Sequence, residues 1–174
     1  MADLKKYSFN KYSEKYKKLF NKEKSKLKKI FPRAEVEHVG SSAVEGLGGK
    51  GIIDIAIKTP RNKLNQFLKK LSKSGYESNL EHPENNKRIF LQRRIRYGGQ
   101  ERRIHIHLTL DNNFWVSFIA VRDYLRNHKD ECDAYAKIKK EAVKHSSGEG
   151  EKYREYKKSF LEKIQKLALK EYFN

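Results

Sequence analysis

Hydrophobic residues in the first part of the chain recur with the period of a helix. Between residues 9 and 31 they return about every 3.6 positions, lysines fill the other faces, and Pro32 follows. This pattern predicts an amphipathic helix over residues 9–31. The apolar positions are Tyr12, Tyr16, Leu19, Phe20, Leu27 and Ile30.

Two strand-like segments and a second helix follow. Residues 35–39 alternate weakly, a Gly/Ser-rich stretch comes next, and residues 52–57 are dense in β-branched side chains, which predicts a strand, a loop and a strand. Thr59 before a proline is typical of a helix N-cap, and Gly75 lies where a helix would end. We therefore expect a helix over residues 60–74.

The second half of the chain predicts a hairpin and then helices. Residues 88–97 and 102–110 flank a Gly-Gly pair, and the second run alternates strictly between apolar and polar side chains. Residues 111–113 form a cap cluster, after which helical patterns run to about 127, from 129 to about 145, and again beyond a break at 146–150. We expect one domain, residues 1–174, with an N-terminal helix at 9–31, a sheet core at 34–110 and a helical part at 113–174.

Composition narrows the class of protein. The 174 residues include 40 Lys+Arg and 22 Asp+Glu, a formal charge of +18, yet 37% are hydrophobic, which argues against wholesale disorder. So basic a surface attracts polyanions, although lysines that serve only solubility would give the same composition. The lone Cys132 excludes an internal disulfide, and the apolar runs are too short for a secretory signal or a membrane span. We expect a soluble cytoplasmic protein with no membrane partner.

The segment from His38 to Ile57 carries the candidate chemistry. Gly40-Ser41 follows one predicted strand, and Asp54 lies on the next. Glycines let backbone N–H groups approach a phosphate, a serine hydroxyl adds a donor, and a strand carboxylate can hold a divalent cation. The same residues also fit a glycine-rich turn beside a buried, hydrogen-bonded aspartate.

This segment resembles the hallmark of the GrpB family, also called UPF0157, which runs approximately H-[VI]-G-S-T-[SA]-V-P-G-L-x-x-K-P-I-I-D-I. Later matches extend the resemblance from about residue 37 to residue 160. They are His105-Ile106-His107 (H-L-H), residues 121–126 (F-R-D-Y-L-R), residues 135–139 (Y-A-x-L-K), and Tyr153 with Lys157 (Y-x-x-x-K).

The resemblance implies an α+β fold of the DNA polymerase β nucleotidyltransferase type, a small mixed sheet flanked by helices, with further helices at the C-terminal end. In that superfamily paired carboxylates hold two Mg²⁺ ions, which orient a nucleoside triphosphate. Here Asp54 is followed by Ala56 where a second acid would stand. Whether catalysis survives without that acid is left open.

We expect a nucleoside triphosphate, with Mg²⁺ or Mn²⁺, in a cleft at Gly40-Ser41. Asp54, His105 and His107 are the expected catalytic and metal-binding residues, since a His-x-His pair can ligate a metal or act as a general base. The histidines could equally be partly exposed residues that hydrogen-bond their neighbours. The expected nucleotide contacts are Gly40, Ser41, Ser42, Lys50, Arg122, Lys139, Tyr153 and Lys157. For Arg122 a structural ion pair is the alternative to a phosphate clamp.

The hairpin is rich in arginine and is the best candidate for a surface that contacts the backbone of RNA or DNA. An arginine face that simply meets solvent is the alternative. The residues are Arg93, Arg94, Arg96, Arg102 and Arg103. The leading function is nucleotide binding with possible nucleotidyl transfer. The alternative is an inactive nucleic-acid-binding or scaffold module that uses the basic surface.

Overall fold

The computed structural model describes residues 8–78 and 86–174. Its sheet has five strands: β1 (Val36–Val39), β2 (Ile53–Lys58), β3 (Glu77–Ser78), β4 (Arg88–Tyr97) and β5 (Gln100–Thr109). They lie in the order β1-β2-β5-β4-β3. β2 runs parallel to β5, and the other neighbouring pairs are antiparallel. The sheet is therefore mixed.

Five helices flank this sheet: α1 (Lys15–Ile30), α2 (Leu64–Lys73), α3 (Asn112–Asn127), α4 (Lys129–Ser146) and α5 (Gly150–Tyr172). The expected α+β fold, a small mixed sheet flanked by helices with more helices at the C-terminal end, is confirmed. Among the described residues, no helix combines the length and the apolar character that a membrane crossing would need.

One face of the sheet forms the main hydrophobic core. Alternation along β2 and β5 turns isoleucines and leucines to this face, where α1 and α2 cover them. Phe31 and Phe67 stack at one end of this layer, with ring centroids 4.1 Å apart. The strand residues buried here are Ile53, Ile55, Ile57, Ile104, Ile106 and Leu108.

The opposite face of the sheet carries the polar residues of the predicted site. Asp54 lies opposite His105 in the parallel register, and Ala56 lies opposite His107. Helix α3 packs over one part of this face, through Trp115 and neighbouring apolar residues. Helices α4 and α5 pack against α3 in a separate apolar cluster. This arrangement leaves a cavity between the sheet and the C-terminal helices.

The first helix is shorter than predicted. It begins at Lys15 rather than at residue 9, because Asn10 pairs with the Gly-rich loop. The Asn10 N–H donates to the Gly49 carbonyl at 2.6 Å, and the Gly49 N–H donates to the Asn10 carbonyl at 2.8 Å. A long-range backbone contact therefore takes these residues out of the helix.

The predicted second helix also begins later. Residues 61–63 form a 3₁₀ turn after an extended Pro60, and α2 starts only at Leu64. The Thr59 hydroxyl donates to the Ile57 carbonyl at 3.2 Å, so the predicted N-cap at Thr59 is wrong. At α3 the cap prediction is confirmed, since the Asp111 carboxylate accepts from the Asn113 N–H at 2.8 Å. The hairpin and the two last helices are also confirmed.

Candidate functional site

Asp54 and two histidines form a hydrogen-bonded group on the cavity face of the sheet. One carboxylate oxygen, Oδ1, lies 3.1 Å from His107 Nε2 and 3.3 Å from His105 Nδ1. Both contacts follow from the parallel register of β2 and β5, which sets Asp54 beside His105 with His107 two residues further on. The predicted juxtaposition of these three side chains is therefore present.

The contacts of His107 fix its tautomer. Arg88 lies 3.0 Å from His107 Nδ1, and a guanidinium only donates, so Nδ1 is the acceptor. The ring proton is then on Nε2, which donates to Asp54. Because both ring nitrogens are engaged, His107 has no lone pair to offer a metal or a substrate proton in this arrangement.

The pKa shifts of Asp54 and His107 favour a charged aspartate beside a neutral histidine. Burial alone would raise the pKa of Asp54, but hydrogen bonds from His105 and His107 outweigh it and hold that pKa well below its usual range. Burial lowers the pKa of His107, against the attraction of the Asp54 charge. At neutral pH the site therefore holds a carboxylate and a neutral His107.

Two glycines of the loop are in close contact with site residues. Gly40 has φ +69°, and a Cβ there would stand 2.6 Å from Asp54 Oδ2. A Cβ at Gly49 would stand 2.8 Å from Ser41 Oγ and 2.9 Å from Lys139 Nζ. Only glycine allows the backbone to approach these side chains so closely.

A cavity of about 510 Å³ brings most of the predicted site together. Loop residues, the sheet and helices α3, α4 and α5 all contribute to its wall. The predicted residues that line it are Gly40, Ser41, Lys50, Asp54, His105, His107, Arg122, Lys139, Tyr153 and Lys157. The strand, Gly-Ser turn, strand order thus places Asp54 in the same cavity as Ser41.

Sequence reasoning missed other residues that line this cavity. Arg88 had a usable signal, because alternation along β4 puts it on the same face as Phe90, the partner of His107 in the antiparallel register. Arg154 follows Tyr153 directly but matched no motif. The further missed lining residues are Ser117, Tyr135 and Gln165.

Ser42 is a correction to the predicted nucleotide contacts. It is buried outside this cavity, and its hydroxyl lies 3.0 Å from His38 Nε2. The 3₁₀ turn that follows Gly40 sends successive serines in different directions, so Ser41 faces the cavity and Ser42 faces α1. Phe20 of α1 stacks on His38, with ring centroids 4.5 Å apart.

Arg122 lines the cavity, but its guanidinium is committed to ion pairs. It donates to Glu37 Oε2 at 2.6 Å and to Asp123 through both Nε, at 2.7 Å, and a terminal nitrogen, at 3.0 Å. It also donates to the His38 carbonyl at 3.1 Å. The structural alternative therefore describes Arg122 better than a phosphate clamp does, because the fork already has carboxylate partners.

The residues present do not fit a resident pair of divalent cations. Asp54 is the single carboxylate among the described residues that line the cavity, against six lysine and arginine side chains. Its Oδ1 already accepts from histidine. In the described part of the chain, no group of three His, Cys, Asp or Glu side chains is arranged to hold a metal ion. The expected ligand set of Asp54, His105 and His107 is therefore a hydrogen-bonded group.

Position 56 shows why the second acid of the superfamily pattern has no counterpart here. Ala56 is fully buried, and it packs with Val39, Trp115 and Val116 in an apolar cluster beneath α3. It does not line the cavity, unlike Asp54 two residues earlier. A carboxylate at this position would meet aromatic and aliphatic side chains.

Alternation divides the five hairpin arginines between the two faces of the sheet. Arg93 and Arg102 face α1, where Arg93 pairs with the buried Glu23 and Arg102 lies over the Tyr16 ring. The five arginines therefore do not form the predicted single patch, since these two are partly buried on the opposite face of the hairpin. Arg94, Arg96 and Arg103 share the face of His105. Arg103 also lies close enough to Lys50 for its charge to lower the pKa of that lysine.

Comparisons with known proteins agree with this fold. A UPF0157 protein of Halalkalibacterium halodurans is 29% identical over 77% of this chain and 67% of its own length. One from Pseudomonas aeruginosa is 30% identical over 79% of this chain and 57% of its own length, so the match spans little more than half of that relative. The crystal structure of the conserved protein GrpB from Enterococcus faecalis superimposes with a TM-score of 0.80 and 27% identity, covering 96% of this chain and 100% of that one.

A sequence model of the family described as GrpB protein matches residues 7–167. That range includes the Gly-rich loop, both histidines and every helix from α1 to α4. Because the match spans most of the sequence and the superposition spans nearly all of it, the chain belongs to the GrpB family.

Proposed function

We propose that the cavity binds a nucleotide through its phosphate groups. The support is the imbalance of charge along its wall, where six lysine and arginine side chains stand against one carboxylate among the described lining residues. That carboxylate is itself engaged by two histidines. A cavity with this excess of positive charge favours a ligand that carries several negative charges.

The burial of Lys139 without a carboxylate partner among the described residues is the main support for the proposal. Its side chain is 2% exposed, and its ammonium donates to the Gly48 carbonyl. No carboxylate of residues 8–78 or 86–174 lies within ion-pair distance of it, and a buried charge without a partner is costly. Burial, with repulsion from Lys157, lowers the pKa of Lys139 to about 7. A bound phosphate would supply the missing negative charge.

The rest of the cavity suits the other parts of a nucleotide. A volume of about 510 Å³ is of the size that small-molecule ligands occupy. Tyr135, Phe118 and Leu125 line it beside the lysines, so an apolar wall is available for a base or a sugar. The phosphates would meet Ser41 and Lys139, whose polar atoms both approach Gly49.

Nucleotidyl transfer is a further part of this proposal, and His105 is its candidate base. His107 uses both ring nitrogens, whereas His105 directs only Nδ1 at Asp54. Its Nε2 is buried and has no hydrogen-bond partner among the described residues. A His105→Gln variant that still binds the nucleotide but no longer transfers the nucleotidyl group of a radiolabelled triphosphate would support this role. Unchanged transfer by this variant would exclude it.

Thermal unfolding with added nucleotides tests the binding proposal. The four nucleoside triphosphates are added in turn, with EDTA and with Mg²⁺, to the wild type, Lys139→Met and Lys137→Met. At about 100 times its Kd a ligand stabilises the fold by about 2.7 kcal/mol, or roughly 5–10 °C for a chain of this size. Lys137 is exposed on the same helix and serves as the control of equal charge.

We expect at least one triphosphate to stabilise the wild type and the Lys137→Met variant. Lys139→Met should lose that effect, although its unliganded form should be at least as stable as the wild type, because an unpaired buried charge has been removed. No shift of the wild type with any triphosphate at millimolar concentration would overturn the proposal.

A second candidate function rests on the three arginines of the cavity face, Arg94, Arg96 and Arg103. Arg94 lies opposite Arg103 in the strand register, and Arg103 is close to Lys50. The basic surface of the hairpin is therefore continuous with the cavity wall, as a contact surface for an RNA or DNA backbone would be.

Salt-dependent binding of single-stranded RNA tests this second candidate. Arg94→Gln/Arg96→Gln should weaken binding and reduce the salt slope by about one unit for each lost phosphate contact. Lys18→Gln/Lys29→Gln makes the same change of charge on exposed positions of α1 and should leave the slope nearer the wild-type value. Equal slopes for the two double variants would exclude the hairpin.

A further inference from the structure

Three lysines lie near one another on the wall of the cavity, beside Tyr153 and Tyr135. Lys50 Nζ lies 4.9 Å from the centre of the Tyr153 ring, and Lys157 Nζ lies 5.1 Å from it. Lys139 Nζ lies 4.9 Å from the centre of the Tyr135 ring, one helical turn earlier on α4. We call Lys50, Lys139 and Lys157 the lysine cluster.

The charged groups that face the cluster are mostly of its own sign. Lys139 faces Lys157 from α5 and Lys50 from the loop, both of which disfavour its charge. Lys50 faces Arg103 from β5 and Lys157 and Arg154 from α5. For Lys139, the Asp54 carboxylate on β2 and Cys132 on α4 act in the opposite direction and favour the positive charge.

Burial and the neighbouring positive charges lower the pKa values of the lysine cluster. Burial is the larger cause and, with the neighbouring cations, lowers the pKa of Lys139 to about 7 and the pKa of Lys50 to about 8. Burial also lowers the pKa of Lys157. Near pH 8 a substantial share of the Lys139 and Lys50 amines is therefore neutral in the free protein.

We infer that the lysine cluster takes the place of divalent cations in this cavity: it binds a nucleoside triphosphate without metal and takes up a proton as the ligand arrives. This inference rests on the proposed nucleotide binding. The proton comes from the buffer and ends on a lysine Nζ, and no covalent bond of the ligand changes.

The physical reason is that the bound triphosphate would make the electrostatic potential at the lysine cluster more negative. A triphosphate brings about four negative charges into a wall rich in cations, so the ammonium groups gain opposite charge that offsets their mutual repulsion. A metal pair would need more than one carboxylate, but Asp54 is the single one among the described lining residues, and Ala56 is packed under α3. Ammonium groups are then the available neutralising charges.

Titration calorimetry in EDTA at pH 8 tests the inference, with ATP as the probe. At this pH the terminal phosphate is already ionised, so proton uptake reports the protein. Binding enthalpies are measured in several buffers of different ionisation enthalpy, and the slope gives the number of protons taken up. We expect about one proton for each ATP bound by the wild type and by Lys137→Met.

Lys139→Met should bind ATP at least tenfold more weakly and take up less than half as many protons, and Lys157→Met provides a second variant if Lys139→Met does not fold. Binding that requires Mg²⁺, or metal-free binding without proton uptake, would overturn the inference and leave the proposed function intact. Absence of binding of ATP and of the other three nucleoside triphosphates, with and without Mg²⁺, would overturn the proposed function itself.

Discussion

The Asp54 carboxylate fills the space that a side chain at Gly40 would occupy: a Cβ at position 40 would stand 2.6 Å from Asp54 Oδ2. This contact joins the Gly-Ser turn to the strand that carries the site carboxylate. It explains why a glycine precedes Ser41, since φ at this position is +69° and the space beside it is taken.

Gly40→Ala should therefore destabilise the protein by more than backbone strain alone. Gly46 is a matched control, because it also has a positive φ, +81°, but no described atom lies within 4 Å of a Cβ there. We expect a cost of about 1 kcal/mol for Gly46→Ala and roughly 2–4 kcal/mol for Gly40→Ala in urea unfolding. Equal costs would show that the contact with Asp54 is loose.

An acidic side chain at position 56, where the superfamily pattern has its second acid, should destabilise the protein. Ala56→Asp places a carboxylate among Trp115, Val116 and Val39, so we expect a loss of about 3–5 kcal/mol at neutral pH. Ala56→Asn has nearly the same size without the charge and should cost less. The two variants are compared by chemical unfolding at pH 5 and pH 8, where the difference should grow with pH. A stable Ala56→Asp variant that gains metal-dependent nucleotidyl transfer would contradict this description of position 56.

Alanine substitutions of two neighbouring arginines of the hairpin should differ strongly in their effect on stability. Arg93 pairs with Glu23, whose side chain is 1% exposed, so Arg93→Ala leaves a buried charge short of a partner and should cost about 3 kcal/mol. Arg94 is exposed and pairs only with exposed Glu101 among the described residues, so Arg94→Ala should cost less than about 0.5 kcal/mol. Unfolding free energies of the two variants check this, and similar costs would contradict the division of the hairpin between two faces.

The strand alternation that separates Arg93 from Arg94 was readable in the sequence, as was most of the fold. Periodicity located the last three helices, the hairpin and the strand of Asp54, because each follows from local pattern. The start of α1 was not readable, since the Asn10–Gly49 pairing joins residues far apart in the chain.

The candidate site, too, was predictable in part from local sequence and in part only from long-range contacts. Family motifs brought Ser41, Asp54 and Lys139 to notice, but the role of each neighbour depends on tertiary contacts. The engagement of Arg122 by Glu37 and the apolar packing of Ala56 arise only once β1, β2 and α3 are assembled. A sequence pattern carries residue types, whereas hydrogen-bond partners are set by the packing of distant segments.

Protein stability should fall as the pH is lowered from about 6.5 to 4, in part because of His38. Burial lowers the pKa of His38 to about 4, whereas the unfolded chain takes up this proton near pH 6.5. Unfolding then binds a proton in this window, which favours the unfolded state as the pH falls. His38→Gln should reduce this loss by about 2–3 kcal/mol.

Urea unfolding at pH 7 and pH 4.5 measures the effect, with His145→Gln as the control on an exposed histidine. His107 contributes in the same direction, because burial lowers its pKa as well. Some pH dependence should therefore persist in the His38→Gln variant. Identical pH dependence in His38→Gln and the wild type would show that His38 is not held neutral by its burial against Phe20.

A crystal structure of the protein grown with ATP and EDTA tests the phosphate site most directly. We expect density for the phosphates in the 510 Å³ cavity, within hydrogen-bond distance of Ser41 Oγ and of the ammonium groups of Lys139 and Lys157. ATP found instead on the hairpin, or in the separate cavity beside Phe31 and Phe67, would contradict this assignment, as would an empty cavity at millimolar ATP.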